Sequence, residues 1–173
     1  MVSRLPPKNS CGRSCLVSST IMTDLLQLNQ DNYRCAFVIH CQGHSHPWSE
    51  PVFADCLTDN YQAYELLQDG MCAGLYVGLF VLDEATLMDI VVGEAFRGRG
   101  LSKVLMSHFL ALCVDKNMHC VWLEVRASNV AAIGLYQAYG FEQIECRKDY
   151  YETQDGREDA LMMKLALGAE PQL

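Results

Sequence analysis

The chain lacks any stretch approaching the roughly 20 consecutive apolar residues that a membrane-spanning helix needs. Its longest apolar run, 71–82, is interrupted by Gly74 and Gly78 and reads as a buried strand, so no membrane association is expected. Cysteine is plentiful, at nine residues, yet no Cys-x-x-Cys pair occurs. Residues 1–21 contain no apolar core of the kind a signal peptide requires. A reduced, cytoplasmic chain is therefore expected, with most cysteines acting as small core hydrophobes. Positive charge is short: 13 Lys and Arg stand against 21 Asp and Glu, a net charge of −8. A field of that sign repels phosphate backbones, so direct nucleic-acid binding is not expected, whereas a basic protein or a free amine would be attracted. Also missing are the Gly-Lys-Ser/Thr of a Walker loop and the spaced glycines of a dinucleotide fingerprint.

Acidic residues are absent from residues 1–21, which hold Pro6, Pro7, five serines and a charge of +3, so the remainder of the chain carries −11. This segment reads as a disordered extension preceding a start at Met22, with a basic, Ser-rich transit peptide as the alternative. Residues 22–167 read as one folded domain and 168–173 as a tail. Within the domain, 25–28 reads as a strand and 31–41 as a helix capped by Asn29 or Asp31. Ser49-Glu50-Pro51 opens a second, short helix. Segments 61–67 and 71–82 read as strands joined at Asp69-Gly70, a tight hairpin signal, and 84–92 as a third. The clearest helix is 101–115, with Leu101, Val104, Leu105, His108, Phe109 and Leu112 on one face. A strand at 120–125, a helix at 129–139 stopped by Gly140, and closing strands at 141–147 and 158–167 complete the pattern, with a loop between the last two. The order predicts an α/β layer structure with a mixed sheet.

Two segments could carry chemistry. The first is Arg97-Gly98-Arg99-Gly100-Leu101-Ser102, between the strand 84–92 and the strong helix. A glycine-rich turn at a helix N-terminus offers unpaired N–H groups and about half a positive charge from the helix dipole, and two arginines add to it, so a diphosphate would fit. The plainer alternative is that the glycines only make the turn. The second is Leu123-Glu124-Val125-Arg126-Ala127-Ser128-Asn129, continuing to Tyr136. Glu124 lies near the end of a strand of Val121, Trp122, Leu123 and Val125. In such apolar company its pKa would rise, which suits a general base, unless it merely pairs with Arg126. Asn129, Ile133 and Tyr136 share a helical face, placing Tyr136 near the helix start that faces the strand end. A tyrosine can protonate a thiolate; it can also be a core residue.

At this point the chain resembles the GCN5-related N-acetyltransferase (GNAT) superfamily, whose Arg-x-x-Gly-x-Gly/Ala loop corresponds to Arg97 through Ser102. Within it the chain is similar to the RimI-type alanine N-acetyltransferases. The shared pieces are Pro47-Trp48-Ser49-Glu50, Val81 through Leu87, Trp122 through Asn129, Ala131-Ala132-Ile133, Tyr136, Gly140-Phe141, Asp149-Tyr150-Tyr151 and Asp155 through Ala160, so the resemblance covers about 22–167. It implies the GNAT fold, a single domain with a mixed, mostly antiparallel central sheet flanked by helices. It implies acetyl-CoA as cosubstrate, held along Ile90, Val91 and Val92 by backbone groups near a bulge. Arg97, Gly98, Arg99, Gly100, Leu101, Ser102 and Lys103 would wrap the pyrophosphate, and Asn129 would contact the cofactor. It implies Glu124 as general base and Tyr136 as general acid, and Trp48 and a loop around Tyr150 and Tyr151 lining the acceptor entry. Two departures stand out: Ser102 replaces a Gly or Ala, which should be tolerated with some loss of cofactor affinity, and His40 stands where the family often has a carboxylate.

The implied reaction is direct acetyl transfer in a ternary complex, without a metal, to a protein N-terminus. The implied acceptor is the N-terminal alanine of a small-subunit ribosomal protein, the eighteenth. Alternatives are a lysine side chain or a small amine as acceptor, or a non-catalytic CoA-binding module. His40, Cys41, His44 and His46 could together bind zinc, but match no established spacing and read as a loop with incidental histidines. Cys113, Cys120 and Cys146 read as core. Oligomeric state is not legible at this level.

Overall fold

A computed structural model describes residues 22–153 and 156–168. The expectations for residues 1–21, for most of the tail and for Asp155 lie outside the described residues. The described elements are β1 (Thr23–Gln27), α1 (Arg34–Gly43), α2 (Glu50–Asp55), β2 (Tyr61–Gln68), β3 (Met71–Val81), β4 (Glu84–Val92), a 3-10 turn at Glu94–Phe96, α3 (Leu101–Asp115), β5 (Cys120–Arg126), α4 (Val130–Ala138), β6 (Glu142–Thr153) and β7 (Gly156–Ala166). They build one seven-stranded sheet in the order β1-β2-β3-β4-β5-β7-β6, antiparallel throughout except for β4 against β5. The mixed, mostly antiparallel sheet flanked by helices is the architecture expected.

Helices cover both faces, because each presents an apolar stripe that must leave water. On one face α3 buries Leu101, Leu105, Met106, Phe109 and Cys113 against Tyr76, Leu87 and Leu123, with Tyr136 of α4 in the same cluster. On the other, Ala36 of α1 and Phe53 of α2 pack on Ala63, Leu75, Val77 and Val91. Phe109 and Phe53 are fully buried, each worth about 1.5–3 kcal/mol in transfer terms. The buried stripe of α3 is rotated from the one expected: Val104 is 39% exposed, while Met106 and Cys113 take core positions.

Three local differences have physical causes. Helix α1 begins at Arg34, later than expected, because Asn29 and Asn32 fold the preceding residues into a turn; Asn29 Oδ1 accepts from the Asp31 N–H at 2.8 Å and Asn32 Oδ1 from the Asn29 N–H at 2.7 Å. Strand β6 continues to Thr153 where a long loop was expected, so Tyr150 and Tyr151 stand on a strand. Three β6 residues, 148–150, oppose the single residue Asp159 between the pairs Arg147↔Ala160 and Tyr151↔Glu158. Asp149 takes φ 55° there and its N–H donates to Asp159 Oδ1 at 2.9 Å. Finally, Cys146 is exposed on β6, whereas Cys113 and Cys120 are buried as expected.

Two irregularities in β4 create the site. Strands β4 and β5 pair only from Glu84↔Cys120 to Leu87↔Leu123, and then each stays with its other neighbour, β3 or β7. A wedge opens between them, and the β4 edge facing it has backbone groups without a strand partner. The pairing of β3 with β4 also shifts, from Gly78↔Leu87 to Val77↔Asp89, leaving Met88 as the extra residue of a bulge. The bulge reverses the alternation of faces. Ala85 and Leu87 face the α3 core, but beyond Met88 it is Ile90 and Val92 that do so, while Asp89 and Val91 turn toward α1.

Candidate active site

The glycine turn sits just past the wedge. Gly98 and Gly100 have φ of 75° and 76°, conformations that L side chains rarely adopt, and a Cβ on either would meet nothing within 4 Å. Gly100 caps α3 without a side-chain partner, so early N–H groups of a 15-residue helix remain free for an anion, with the helix dipole behind them. The open outer surface of this turn fits a diphosphate. Ser102 lies within the first turn of α3 and is not its cap. The arginines do not extend freely from the loop: Arg97 Nε donates to the Val92 carbonyl at 3.3 Å, and Arg99 reaches back to Gln68 Oε1 at 2.7 Å and the Ala95 carbonyl at 3.0 Å. The Arg99 guanidinium also lies over the Phe96 ring, 5.4 Å from its centre. The Arg99 side chain thus braces the turn on β2, which differs from the expectation that it adds charge at the pyrophosphate. Lys103 is exposed and its carbonyl accepts from the Tyr139 hydroxyl at 2.9 Å, tying α3 to α4. Asn129 caps α4, its Oδ1 accepting from the Ala132 N–H at 3.2 Å.

Across the wedge, Glu124 is placed differently from expectation. Its side chain is 29% exposed and its Oε1 accepts from Arg147 Nη1 at 2.5 Å, so it is neither in dry apolar surroundings nor paired with Arg126. Strand alternation explains this: Leu123 and Val125 point into the core and Glu124 points to the other face. Arg126 instead pairs with Glu158 at 3.3 Å and stacks on the Tyr151 ring, 4.3 Å from its centre. Arg147 lies over Tyr150 at 5.5 Å, and the two tyrosine rings meet edge to face at 5.1 Å. Cations and rings from β5 and β6 therefore lie together on the face that carries Glu124.

Tyr136 is in the last turn of α4, not near its start, because α4 runs only over Val130–Ala138. It is buried, and its hydroxyl bonds to no described residue. Burial pushes its pKa well up, and the charges of Asp89 and Tyr151 push the same way. The hydroxyl thus holds its proton and lies close enough to Asp89 and Tyr151 to feel both. An open recess of about 370 Å³ continues from the end of β5, lined by His46, Arg126, Ser128, Glu152 and Glu158 among others.

The residues that sequence reasoning missed are Asp89 and its partners. Asp89 is buried, its Oδ2 lying 2.7 Å from His40 Nδ1 and its Oδ1 2.9 Å from His44 Nε2. His40 is buried and its Nε2 accepts from the Trp48 N–H at 2.9 Å; the Trp48 ring packs on it at 4.9 Å between centres. So the histidines are not incidental loop residues, and Cys41 and His46 are not part of the group. The signal available in the sequence was the spacing of four between His40, in the last turn of α1, and His44, the residue that caps it, together with an acid in the strand 84–92. A bulge in this strand was implied by the family resemblance, but its place at Met88, which turns Asp89 toward them, was not.

Residues 22–141 match the model of the Acetyltransferase (GNAT) family. The chain is 38% identical over 146 residues to the ribosomal protein bS18-alanine N-acetyltransferase of Escherichia coli strain K12, covering 84% of this chain and 99% of that protein. The crystal structure of the ribosomal-protein-S18-alanine N-acetyltransferase from Escherichia coli superposes with a TM-score of 0.83, covering 88% of this chain and 99% of that one. Ard1 from Thermoplasma volcanium superposes with a TM-score of 0.74 at 26% identity, covering 85% and 99%.

Proposed function

Since the chain belongs to the acetyltransferase (GNAT) family and is an N-acetyltransferase, we propose that its acceptor is the α-amine of a protein N-terminus, and specifically the N-terminal alanine of ribosomal protein bS18. The family uses acetyl-CoA. The observation that carries the reading is the wedge beyond Leu87 and Leu123, with the open glycine turn on one side and Glu124 and Tyr136 beside it. The likeness to the alanine N-acetyltransferase over nearly its whole length supports the acceptor.

In this reading the diphosphate of acetyl-CoA lies against the turn from Arg97 to Lys103, with Asn129 at its flank, and its pantetheine arm runs along the unpaired edge of Ile90, Val91 and Val92. A backbone N–H of that edge stabilises the oxyanion. Glu124 accepts a proton from the acceptor nitrogen. Tyr136, whose pKa burial holds far above neutrality, protonates the departing CoA thiolate. The acceptor chain enters past Trp48, Tyr150 and Tyr151. No step calls for a metal.

A panel of peptides differing in their first residue, together with lysine-bearing N-blocked peptides and small amines, tests this. CoA release and intact-peptide mass are followed with acetyl-CoA present. The expected result is single acetylation of free N-terminal alanine peptides. Preference for N-blocked lysine peptides or small amines would overturn it.

A further inference from the structure

A cluster of titratable groups left unused by the scheme above is His40, His44 and Asp89, each with an atom within 4.8 Å of the others. Its hydrogen bonds argue for proton chemistry rather than for a metal. The Trp48 N–H donates to His40 Nε2, so that nitrogen is an acceptor and the ring proton sits on Nδ1, facing Asp89 Oδ2. A cation on Nδ1 would have to displace that proton while Nε2 still accepted one, which needs an imidazolate. His40 is thereby an anchor for the carboxylate. The other oxygen of Asp89 accepts from His44 Nε2 at 2.9 Å. The Nδ1 of His44 bonds to no described residue, and its side chain is 38% exposed against 2% for that of His40. The result is an imidazole with one nitrogen fixed on a buried carboxylate and the other free to take a proton.

Its surroundings are mixed in charge. Asp89 of β4 and His40 of α1 contact it, and Arg126 of β5 bears on it. Tyr136 of α4, Tyr151 of β6 and Glu124 of β5 stand around the same wedge. The bond to Asp89 raises the His44 pKa, burial pulls the other way, and the Asp89 charge leaves the balance upward, with Arg126 opposing slightly. Its folded value thus lies above the ordinary value of about 6.5.

The stoichiometry asks for such a group. An α-ammonium becoming an amide loses two protons from nitrogen in each turnover. One acceptor, Glu124, is already engaged by Arg147. We propose that His44, held by Asp89 and His40, is a second proton acceptor and takes the first of these protons, leaving Glu124 the other. This rests on the acetyl-transfer reading above. In sequence, the ammonium gives a proton to His44 Nδ1 and becomes a neutral amine. The amine attacks the thioester carbonyl, forming the C–N bond. The nitrogen of the adduct gives its extra proton to Glu124, the C–S bond breaks, and Tyr136 protonates the thiolate. Glu124 returns one proton to Tyr136 through solvent, and His44 releases the other to water, so each turnover yields amide, CoA thiol and one proton.

The experiment compares the pH dependence of kcat from about pH 6 to 9 for the wild type, His44→Gln and Asp89→Asn, on a peptide beginning with alanine. His119→Gln, exposed at the far end of β5, is the control. In His44→Gln, kcat at pH 7 should fall by about 10-fold, the neutral fraction left to an amine titrating near 8, and its rising limb should move to that value. Asp89→Asn should displace the limb toward lower pH, and His119→Gln should match the wild type. A second acceptor separates chemistry from structure: a peptide whose first residue is trifluoroalanine presents an amine already neutral at pH 7, and His44→Gln should barely affect it. Should His44→Gln fold poorly, with a lowered melting temperature or a changed KM for acetyl-CoA, the NMR titration of His44 in the wild type decides, a midpoint at or below the ordinary value overturning the proposal. Superimposable kcat profiles for wild type and His44→Gln, or equal losses on both acceptors, overturn it while leaving acetyl transfer standing. A wild type that acetylates no N-terminal amine overturns both.

Discussion

Two glycines in this chain permit a controlled test of the cofactor loop. Gly100 in the turn before α3 has φ 76°, and Gly70 in the β2–β3 hairpin has φ 79°; a Cβ at either position would meet no atom within 4 Å. Replacing each by valine therefore imposes similar backbone strain and meets no neighbour at Cβ. A left-handed conformation costs an L residue about 1–2 kcal/mol. For a chain of 173 residues that lowers the melting temperature by roughly 2–8 °C, in both variants alike. The difference lies in the space outside the loop. In the proposed reading, phosphate oxygens approach the N–H groups of α3 through that space at Gly100, while no cofactor contact is proposed at Gly70. The loss of even one charge-assisted hydrogen bond, about 1.5–3 kcal/mol, corresponds to a rise of roughly 10–100-fold in the KM for acetyl-CoA in Gly100→Val, with the KM for peptide unchanged. Gly70→Val should show the stability loss alone. Steady-state kinetics with each substrate varied, alongside thermal melts, reads all of this. If the two variants have the same KM for acetyl-CoA, the loop is a structural turn and the diphosphate binds elsewhere.

Glu124→Gln keeps its shape and a hydrogen bond to Arg147 but cannot accept a proton; turnover should fall by about 10²–10⁴-fold with acetyl-CoA binding retained, which stopped assays and calorimetry would separate. Tyr136→Phe should slow turnover without recovery at high pH, since its step is thiolate protonation, and a pH–rate profile distinguishes this from loss of a base. The pair of His44 with Asp89 should also register in stability. His44 has a folded pKa above its unfolded value, so its contribution is fully present below about pH 6.5 and is lost as pH rises through the folded value. Melting of His44→Gln should consequently lag the wild type most near pH 6 and least near pH 9. Removal of residues 1–21 should leave activity and melting nearly unchanged, because the described core begins at Met22.

Much of the fold was legible because its long elements obey simple periods. The strand 84–92 and the helix 101–115 were bounded correctly from alternation, glycine punctuation and helical spacing. What escaped was irregularity that depends on partners. The family resemblance implied a bulge near Ile90, but nothing in Thr86 through Asp89 puts it at Met88, where β4 leaves β5 while keeping β3. With it went the orientation of Asp89, and so the meaning of His40 and His44. Glu124 was picked out for its apolar neighbours in sequence, but Val121, Leu123 and Val125 face the opposite side of the strand, and its companion is Arg147, over 20 residues away. Tyr150 and Tyr151 were expected on a loop beyond a strand ending at 147; a three-residue bulge stabilised by Asp159 keeps them on β6.

The central claim is transfer to an α-amine, and one peptide decides it. The peptide begins with a free alanine and carries an internal lysine, so both amines compete within one molecule. After limited reaction with acetyl-CoA and the 173-residue chain at neutral pH, fragmentation mass spectrometry locates the acetyl group. The α-amine, with a pKa about two to three units below that of a lysine side chain, is the easier to deprotonate. The account predicts an acetyl group on the alanine nitrogen with the lysine left free. Acetylation of the lysine, with the alanine untouched, would contradict it.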